Sequence, residues 1–186
     1  TAAKSLAGSD AELGEKLVTA LDRVDRDEQD RLAALRKTDP NAGRTDPFEF
    51  VLDSPSGEAL DLSTLRGKVV VMDFWATWCQ PCRAQHPLYE ELRARYSANP
   101  QVVILALNTD QDRDAVQPFL REQNWTHPIW YAGSLQHLPR VTGIPTALVF
   151  DTRGKLYSRI TGFPGPVFFE MMTRRIDGAL EESKIP

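Results

Sequence analysis

The sequence predicts an α/β domain preceded by a helical arm, and three observations carry that prediction. Two continuous apolar runs, Val69-Val70-Val71-Met72 and Val102-Val103-Ile104-Leu105-Ala106-Leu107, read as strands buried on both faces, as in a parallel sheet. Each leads into text of helical period, so that strand and helix alternate as crossover connections require. A stretch rich in structure breakers, Thr38-Asp39-Pro40-Asn41-Ala42-Gly43-Arg44-Thr45-Asp46-Pro47, sets the start of the chain apart. Residues 1–45 are therefore read as a helical N-terminal extension with its linker, and 46–186 as one domain.

In chain order, residues 10–37 are a helical candidate, with Leu13, Leu17, Ala20, Leu21, Val24, Leu32 and Leu35 at spacings of three, four or more. Asp10 can cap its start. The charged block Asp25-Arg26-Asp27-Glu28-Gln29-Asp30-Arg31 interrupts the apolar stripe, and a two-helix hairpin and one long exposed helix fit it equally well. The segment reads either as a dimerisation or partner-docking arm, or as a helix that packs on its own domain or ends an upstream one.

Phe48-Glu49-Phe50-Val51-Leu52 and Ala59-Leu60-Asp61-Leu62 flank the turn Asp53-Ser54-Pro55-Ser56-Gly57, giving two short strands. The central strand from Val69 follows, then a helix reaching about Tyr96. Pro87 lies inside that helix and should kink it, because Leu88, Leu92 and Tyr96 carry the apolar period past it. After the second apolar strand, residues 112–123 read as a helix starting near Asp110 or Asp112, with Val116, Phe119 and Leu120 on one side. Pro128-Ile129-Trp130-Tyr131 is a short strand and Leu135-Gln136-His137-Leu138 a short helix. Ala147-Leu148-Val149-Phe150 turns through Asp151-Thr152-Arg153-Gly154 into Lys155-Leu156-Tyr157-Ser158-Arg159-Ile160. A Gly/Pro loop at 162–166 precedes a last helix over 167–180.

The chemistry is concentrated where the central strand ends. The two cysteines of the 186-residue chain, Cys79 and Cys82, stand two residues apart just before helix-forming text. If the helix begins at or near Cys79, the free N–H groups and positive dipole end of its first turn stabilise a thiolate there. Cys79 is thus the candidate nucleophile, and Cys82, about one turn on, can reach back to close a disulfide and resolve a mixed one. Pro81 falls in the first turn, where a missing N–H costs little. A purely structural bridge over so short a loop would remove little chain entropy. A zinc site could draw on Cys79, Cys82 and His86 but lacks a second cysteine pair.

The segment Asp73-Phe74-Trp75-Ala76-Thr77-Trp78-Cys79-Gln80-Pro81-Cys82 resembles the active-site segment of thioredoxins, and its Phe-Trp-Ala-Thr-Trp-Cys wording is most similar to the TlpA/ResA-like thiol-disulfide oxidoreductases, with an AhpC/TSA-Redoxin-like domain. The resemblance runs over residues 48–180. It implies a thioredoxin-like α/β fold, a central mixed sheet flanked by helices, with an extra N-terminal β-hairpin that plain thioredoxins lack. Thioredoxin-like proteins also carry a proline at the distance of Pro87. The resemblance makes the Ile144-Pro145 bond cis, which would turn the backbone N–H and C=O of Ile144 toward an extended substrate chain beside the sulfurs. It places Gly162 at the border of the substrate groove. Asp73 is an aspartate in an apolar strand, where desolvation should raise its pKa; the resemblance makes it the general base that deprotonates Cys82. Many TlpA/ResA-like members have Asn there instead, and thioredoxins often hold a lysine near this aspartate where this chain has Ala106. Trp78 reads as a shield and apolar docking surface for the dithiol, Trp75 as core. His86 could face the dithiol from the next turn, whereas His127 and His137 have no paired acid or nucleophile in the sequence.

The implied activity is that of a protein thiol:disulfide oxidoreductase, a disulfide reductase in the cell envelope. Its partners are protein disulfide or dithiol substrates and an upstream thiol-disulfide electron donor; apocytochromes of cytochrome c biogenesis, copper-site proteins and general envelope thiols all remain open. No cofactor beyond the Cys79–Cys82 disulfide and no metal are expected. The alternatives are a copper chaperone or non-catalytic binding module, in which a reduced cysteine pair with His86 holds a soft metal, and a peroxiredoxin-type peroxidase, whose lone nucleophilic cysteine Cys82 does not fit. A net charge of −4 with dispersed basic residues gives no nucleic-acid footprint. There is no apolar run of membrane-spanning length. The chain begins at Thr1 rather than Met, so an upstream piece is expected to have been removed, and a signal peptide or membrane anchor could have gone with it. A cysteine pair without a spare thiol fits an extracytoplasmic protein, in the periplasm or cell envelope.

Overall fold

The computed structural model describes residues 2–37, 39–138 and 141–182, with the side chains of 2–13 and Leu32 outside the description. The chain falls into two compact units, Thr1–Gly43 and Arg44–Pro186.

The first unit holds one helix, α1 (Ala2–Leu35). Of the two arrangements the sequence left open it is the single long helix, because the charged block contains neither Gly nor Pro and its Asp, Glu, Arg and Gln propagate a helix well enough. It starts eight residues before Asp10, so Asp10 lies in its interior and does not cap it. Leu17, Val18, Leu21 and Val24 are all exposed; the expected contributions of Leu13 and Leu32 fall outside the described residues. Pro40 bars continuation of the helix, and turns close instead through Asp39 N–H to the Leu35 carbonyl and Asn41 N–H to Asp39 Oδ1.

The second unit begins with a correction. Phe48 and Glu49 do not open a strand but sit in a 3₁₀ turn, Pro47–Glu49, because Pro47 favours a first-turn position and Asp46 Oδ1 accepts the Phe48 N–H at 2.9 Å. Strand β1 (Val51–Asp53) then pairs antiparallel with β2 (Ala59–Asp61) in the expected hairpin. Phe48, Phe50 and Leu52 are buried, and Phe48 meets Phe150 edge-on at 5.5 Å.

The main sheet has five strands in the order β5-β4-β3-β6-β7. Its centre, β3 (Val69–Trp75), is buried at every residue, which is what its unbroken apolar run requires. It runs parallel to β4 (Val102–Asn108) and antiparallel to β6 (Thr146–Phe150), so the sheet is mixed. β5 (Ile129–Tyr131) extends it beyond β4 and β7 (Leu156–Thr161) beyond β6. β4 is fully buried only from Leu105 onward. Alternation along β3 sends Val70, Met72 and Phe74 into a core shared with the N-terminal hairpin, and Val69 and Val71 into one shared with α2 (Gln80–Tyr96) and α4 (Phe168–Glu182). Each such buried side chain stabilises the fold by roughly 1.5–3 kcal/mol. Asp73 has the parity of Val69 and Val71, which points it at α2.

Pro87 lies inside α2 as expected, and the helix continues past it because Tyr89, Leu92 and Tyr96 are buried against the sheet. The helix expected over 112–123 is shorter: a 3₁₀ turn, Arg113–Ala115, precedes α3 (Val116–Glu122). Pro118 explains the difference, since it has no N–H to give a helix already under way and so must occupy the first turn. Leu135 sits in a 3₁₀ helix, Gly133–His137, and is fully buried. Among the described residues no helix is long and apolar enough to cross a membrane.

Candidate active site

β3 delivers the chain to the dithiol, and Cys79 is the N-cap of α2. Its Sγ accepts the Cys82 N–H at 3.2 Å and its carbonyl the Arg83 N–H at 3.1 Å. A first-turn N–H is therefore already aimed at this sulfur, which supports the anionic form once the disulfide opens. Gln80 and Pro81 fill the first two helical positions. In this structure Cys79 and Cys82 are joined as a disulfide.

The turn before the dithiol is held by residues the sequence reading passed over. Asp110 accepts the Thr77 N–H at 2.8 Å through Oδ2 and the Thr77 hydroxyl at 2.9 Å through Oδ1. Asn108 Nδ2 donates to Asp110 at 2.7 Å, and the Trp75 carbonyl accepts the Thr109 N–H at 2.8 Å. The end of β4 thus clamps the end of β3. The available signal was an Asn-Thr-Asp run directly after an apolar strand.

Trp78, next to Cys79 in the chain, stands in solvent at 71% exposure. Trp75 is core, 4.9 Å from Trp125 and 5.7 Å from Phe119. The Ile144-Pro145 bond is cis, and Ile144 packs on the cluster that contains both cysteines. The Pro145 carbonyl accepts the Gly162 N–H at 2.8 Å, which ties the Gly162 loop to the proline. A Cβ at Gly162 would meet no atom within 4 Å, so its φ of +82°, rather than crowding within the chain, calls for glycine.

Asp73 is buried, and its Oδ1 has no hydrogen-bond partner. Burial raises its pKa to about 7 against the opposing pull of the Arg93 guanidinium and the Tyr89 hydroxyl. Ala106 is its direct neighbour in the parallel register, so no lysine stands there. The cation that acts on Asp73 is Arg93, reaching in from α2 on the other side, and the sequence reading did not identify it. Asp73, Cys82, His86, Tyr89, Arg93 and His127 line one small pocket.

His127 does have an acid partner, contrary to the sequence reading: its Nδ1 lies 3.0 Å from Glu90 Oε1. His86 stacks flat on Trp125 at 3.6 Å and lies 3.4 Å from His127. Burial and Arg93 lower the pKa of His86 to about 4 and of His127 to about 3, so both rings are neutral. The His86–Glu90 spacing was visible on one helix face, but nothing local linked it to a histidine 41 residues away. His137 ends the 3₁₀ helix of 133–137, outside this cluster.

Comparison with known proteins agrees with this geometry. A family model described as Thioredoxin-like matches residues 67–156. The thiol-disulfide oxidoreductase ResA of Geobacillus kaustophilus is 36% identical over 128 residues, covering 68% of this chain and 72% of the relative. ResA of Bacillus subtilis is 31% identical over 120 residues, 63% of this chain and 66% of the relative, so the chain spans about two thirds of that relative's length. Among solved structures, a candidate DsbE-type thiol:disulfide interchange protein of Chlorobium tepidum superposes with a TM-score of 0.63 at 32% identity, covering 70% of this chain and 92% of the other.

Proposed function

The chain belongs to the ResA-like thiol-disulfide oxidoreductases of the thioredoxin superfamily, and from that premise we propose that it reduces protein disulfides outside the cytoplasm through Cys79 and Cys82. The observation that carries this reading is a disulfide at the N-terminus of α2 whose second cysteine lines one small pocket with a buried carboxyl of pKa about 7.

In the reduced protein, the Cys79 thiolate attacks one sulfur of a substrate disulfide, forming a mixed disulfide and expelling the other substrate sulfur as a thiolate. Asp73 takes the Cys82 proton. The Cys82 thiolate then attacks Cys79 Sγ, closing the intramolecular disulfide and releasing the substrate as a dithiol. Two electrons have passed to the substrate, and an upstream dithiol donor returns them. Ile144 and cis-Pro145 pair with the substrate backbone, Gly162 borders the groove, Pro81 shapes the first turn and Trp78 presents apolar surface. No dissociable cofactor enters; relatives of this family work through the disulfide itself.

The direction is reductive because Gln80-Pro81 brings no cation to the Cys79 thiolate, and Asp73 adds negative charge that opposes a second anion. We place the potential nearer the thioredoxin value of about −270 mV than the DsbA value of about −120 mV. An extracytoplasmic location suits a chain whose two cysteines form one pair with no thiol left to mispair. Residues 46–186 are proposed as the catalytic domain and 1–45 as an extension dispensable for the chemistry. Equilibration with dithiothreitol or glutathione tests the direction: a potential above about −180 mV would make the protein an oxidase or isomerase. Trapping with Cys82→Ser would identify the substrate, with apocytochromes and copper-site proteins as the first candidates.

A further inference from the structure

Three electron-pair donors meet at one point, two of them on the wall of the pocket that Cys82 lines. His86 Nε2 and His127 Nδ1 are 3.4 Å apart, His127 Nδ1 and Glu90 Oε1 3.0 Å, and His86 Nε2 and Glu90 Oε1 3.6 Å. We propose that His86, Glu90 and His127 form a binding site for a divalent transition metal of the zinc class, distinct from the cysteine pair.

The distances decide in favour of an ion. A tetrahedral zinc with bonds of ~2.0–2.1 Å holds its donor atoms roughly 3.3–3.4 Å apart, and the three separations here scatter around that value. His86 and Glu90 are four residues apart on α2 and so project from one face, while the segment leading into β5 brings His127 across to them. Two imidazoles with one carboxylate are the donor set of zinc sites that leave a fourth position open, and imidazole argues against calcium and magnesium.

One ion at the centre of the three atoms would satisfy all of them at once, whichever ring nitrogens carry protons in its absence. The rings are also held in place: His86 by its flat stack on Trp125, and His127 by burial, with only 6% of its side chain exposed. Arg93 Nη1 donates to the same Glu90 Oε1 at 3.0 Å; hydrogen bonding of a ligating carboxylate by an outer group is usual in metal sites, although the positive charge lowers the affinity.

The test uses the full chain without an affinity tag, oxidised and shown free of thiol, so that the cysteines cannot bind the ion. Zinc should bind with one-to-one stoichiometry, and the ¹⁵N resonances of His86 Nε2 and His127 Nδ1 should move while those of His137 stay fixed. Glu90→Gln and His127→Asn should each weaken binding about tenfold or more. Glu90 is half-exposed, so Glu90→Gln keeps its fold, checked by circular dichroism, even if the histidine variant does not. Absence of saturable zinc binding by the wild-type chain, or undiminished affinity in Glu90→Gln, overturns the site. The inference does not depend on the redox reading: an inactive dithiol would leave zinc binding intact, so failure of one reading leaves the other standing.

Discussion

Cys79 and Cys82 are almost equally buried, at 3% and 4% exposure, yet their surroundings differ in kind. Beside Cys79 the chain presents Trp78 to solvent and the cap of a helix to the sulfur. Around Cys82 it gathers into one small pocket a buried carboxyl with one unpartnered oxygen, a buried tyrosine hydroxyl, a guanidinium and two neutral imidazoles. One environment suits meeting a large substrate; the other suits moving a proton. Two cysteines on one turn can thus have different roles without differing in exposure, because opposite sides of the same helix start face different matter.

The largest effect should come from breaking the outer side. Cys79→Ser should reduce insulin reduction to the uncatalysed rate, whereas Cys82→Ser should leave a stable mixed disulfide visible by mass spectrometry. Full turnover by Cys79→Ser would reverse the roles assigned to the two sulfurs.

Asp73→Asn probes the inner side. Loss of a positioned general base should slow release of the mixed disulfide by about 10²-fold or more, leaving its formation at Cys79 nearly unchanged in rapid-mixing experiments. The same variant has a stability signature. The carboxyl's folded pKa of about 7 exceeds its unfolded value of 3.8, so its contribution is fully present below pH 3.8 and lost as pH rises to about 7. Above that pH the ionised carboxyl destabilises the wild type by on the order of 4 kcal/mol. Denaturant titrations of the oxidised proteins should find Asp73→Asn more stable at pH 8 and equal to wild type near pH 3.5. A variant less stable at pH 8 would show the carboxylate to be well solvated or paired.

A smaller effect belongs to Trp78→Ala. Removing an exposed aromatic should raise KM for a protein substrate about tenfold, the scale of one strong interface contact, and leave the reduction of a small aromatic disulfide unchanged. An equal loss on both substrates would place Trp78 in the chemistry instead. The smallest effect should follow deletion of residues 1–43, which removes α1 and neither environment of the dithiol: turnover on a small disulfide and the unfolding midpoint should match the full chain. Failure of that shortened chain to fold would make α1 part of the core.

Much of the design was legible along the chain because it is local. The apolar run of β3, the dithiol at its end, Pro81 in the first turn and the helix past Pro87 each follow from neighbours within a few residues, where period and backbone preference act. The errors at Phe48 and at residues 112–115 were also local, and Pro47 and Pro118 had announced both. The buried carboxyl Asp73 was noticeable as a polar residue in an apolar strand; its part as a general base came only from the family resemblance, whereas its raised pKa followed from desolvation.

The identity of its partners did not. Arg93 replaces an absent lysine from a helix on the far side of Asp73, and Asp110 clamps Thr77 across 33 residues. Glu90 meets His127 only because the segment before β5 returns over α2. Sequence by itself determined the dithiol at the end of a buried strand and the course of most strands and helices. Which charges would face one another was decided by the parity of β3 and the rotation of α2 against it, since a contact between distant residues depends on packing that no single segment encodes.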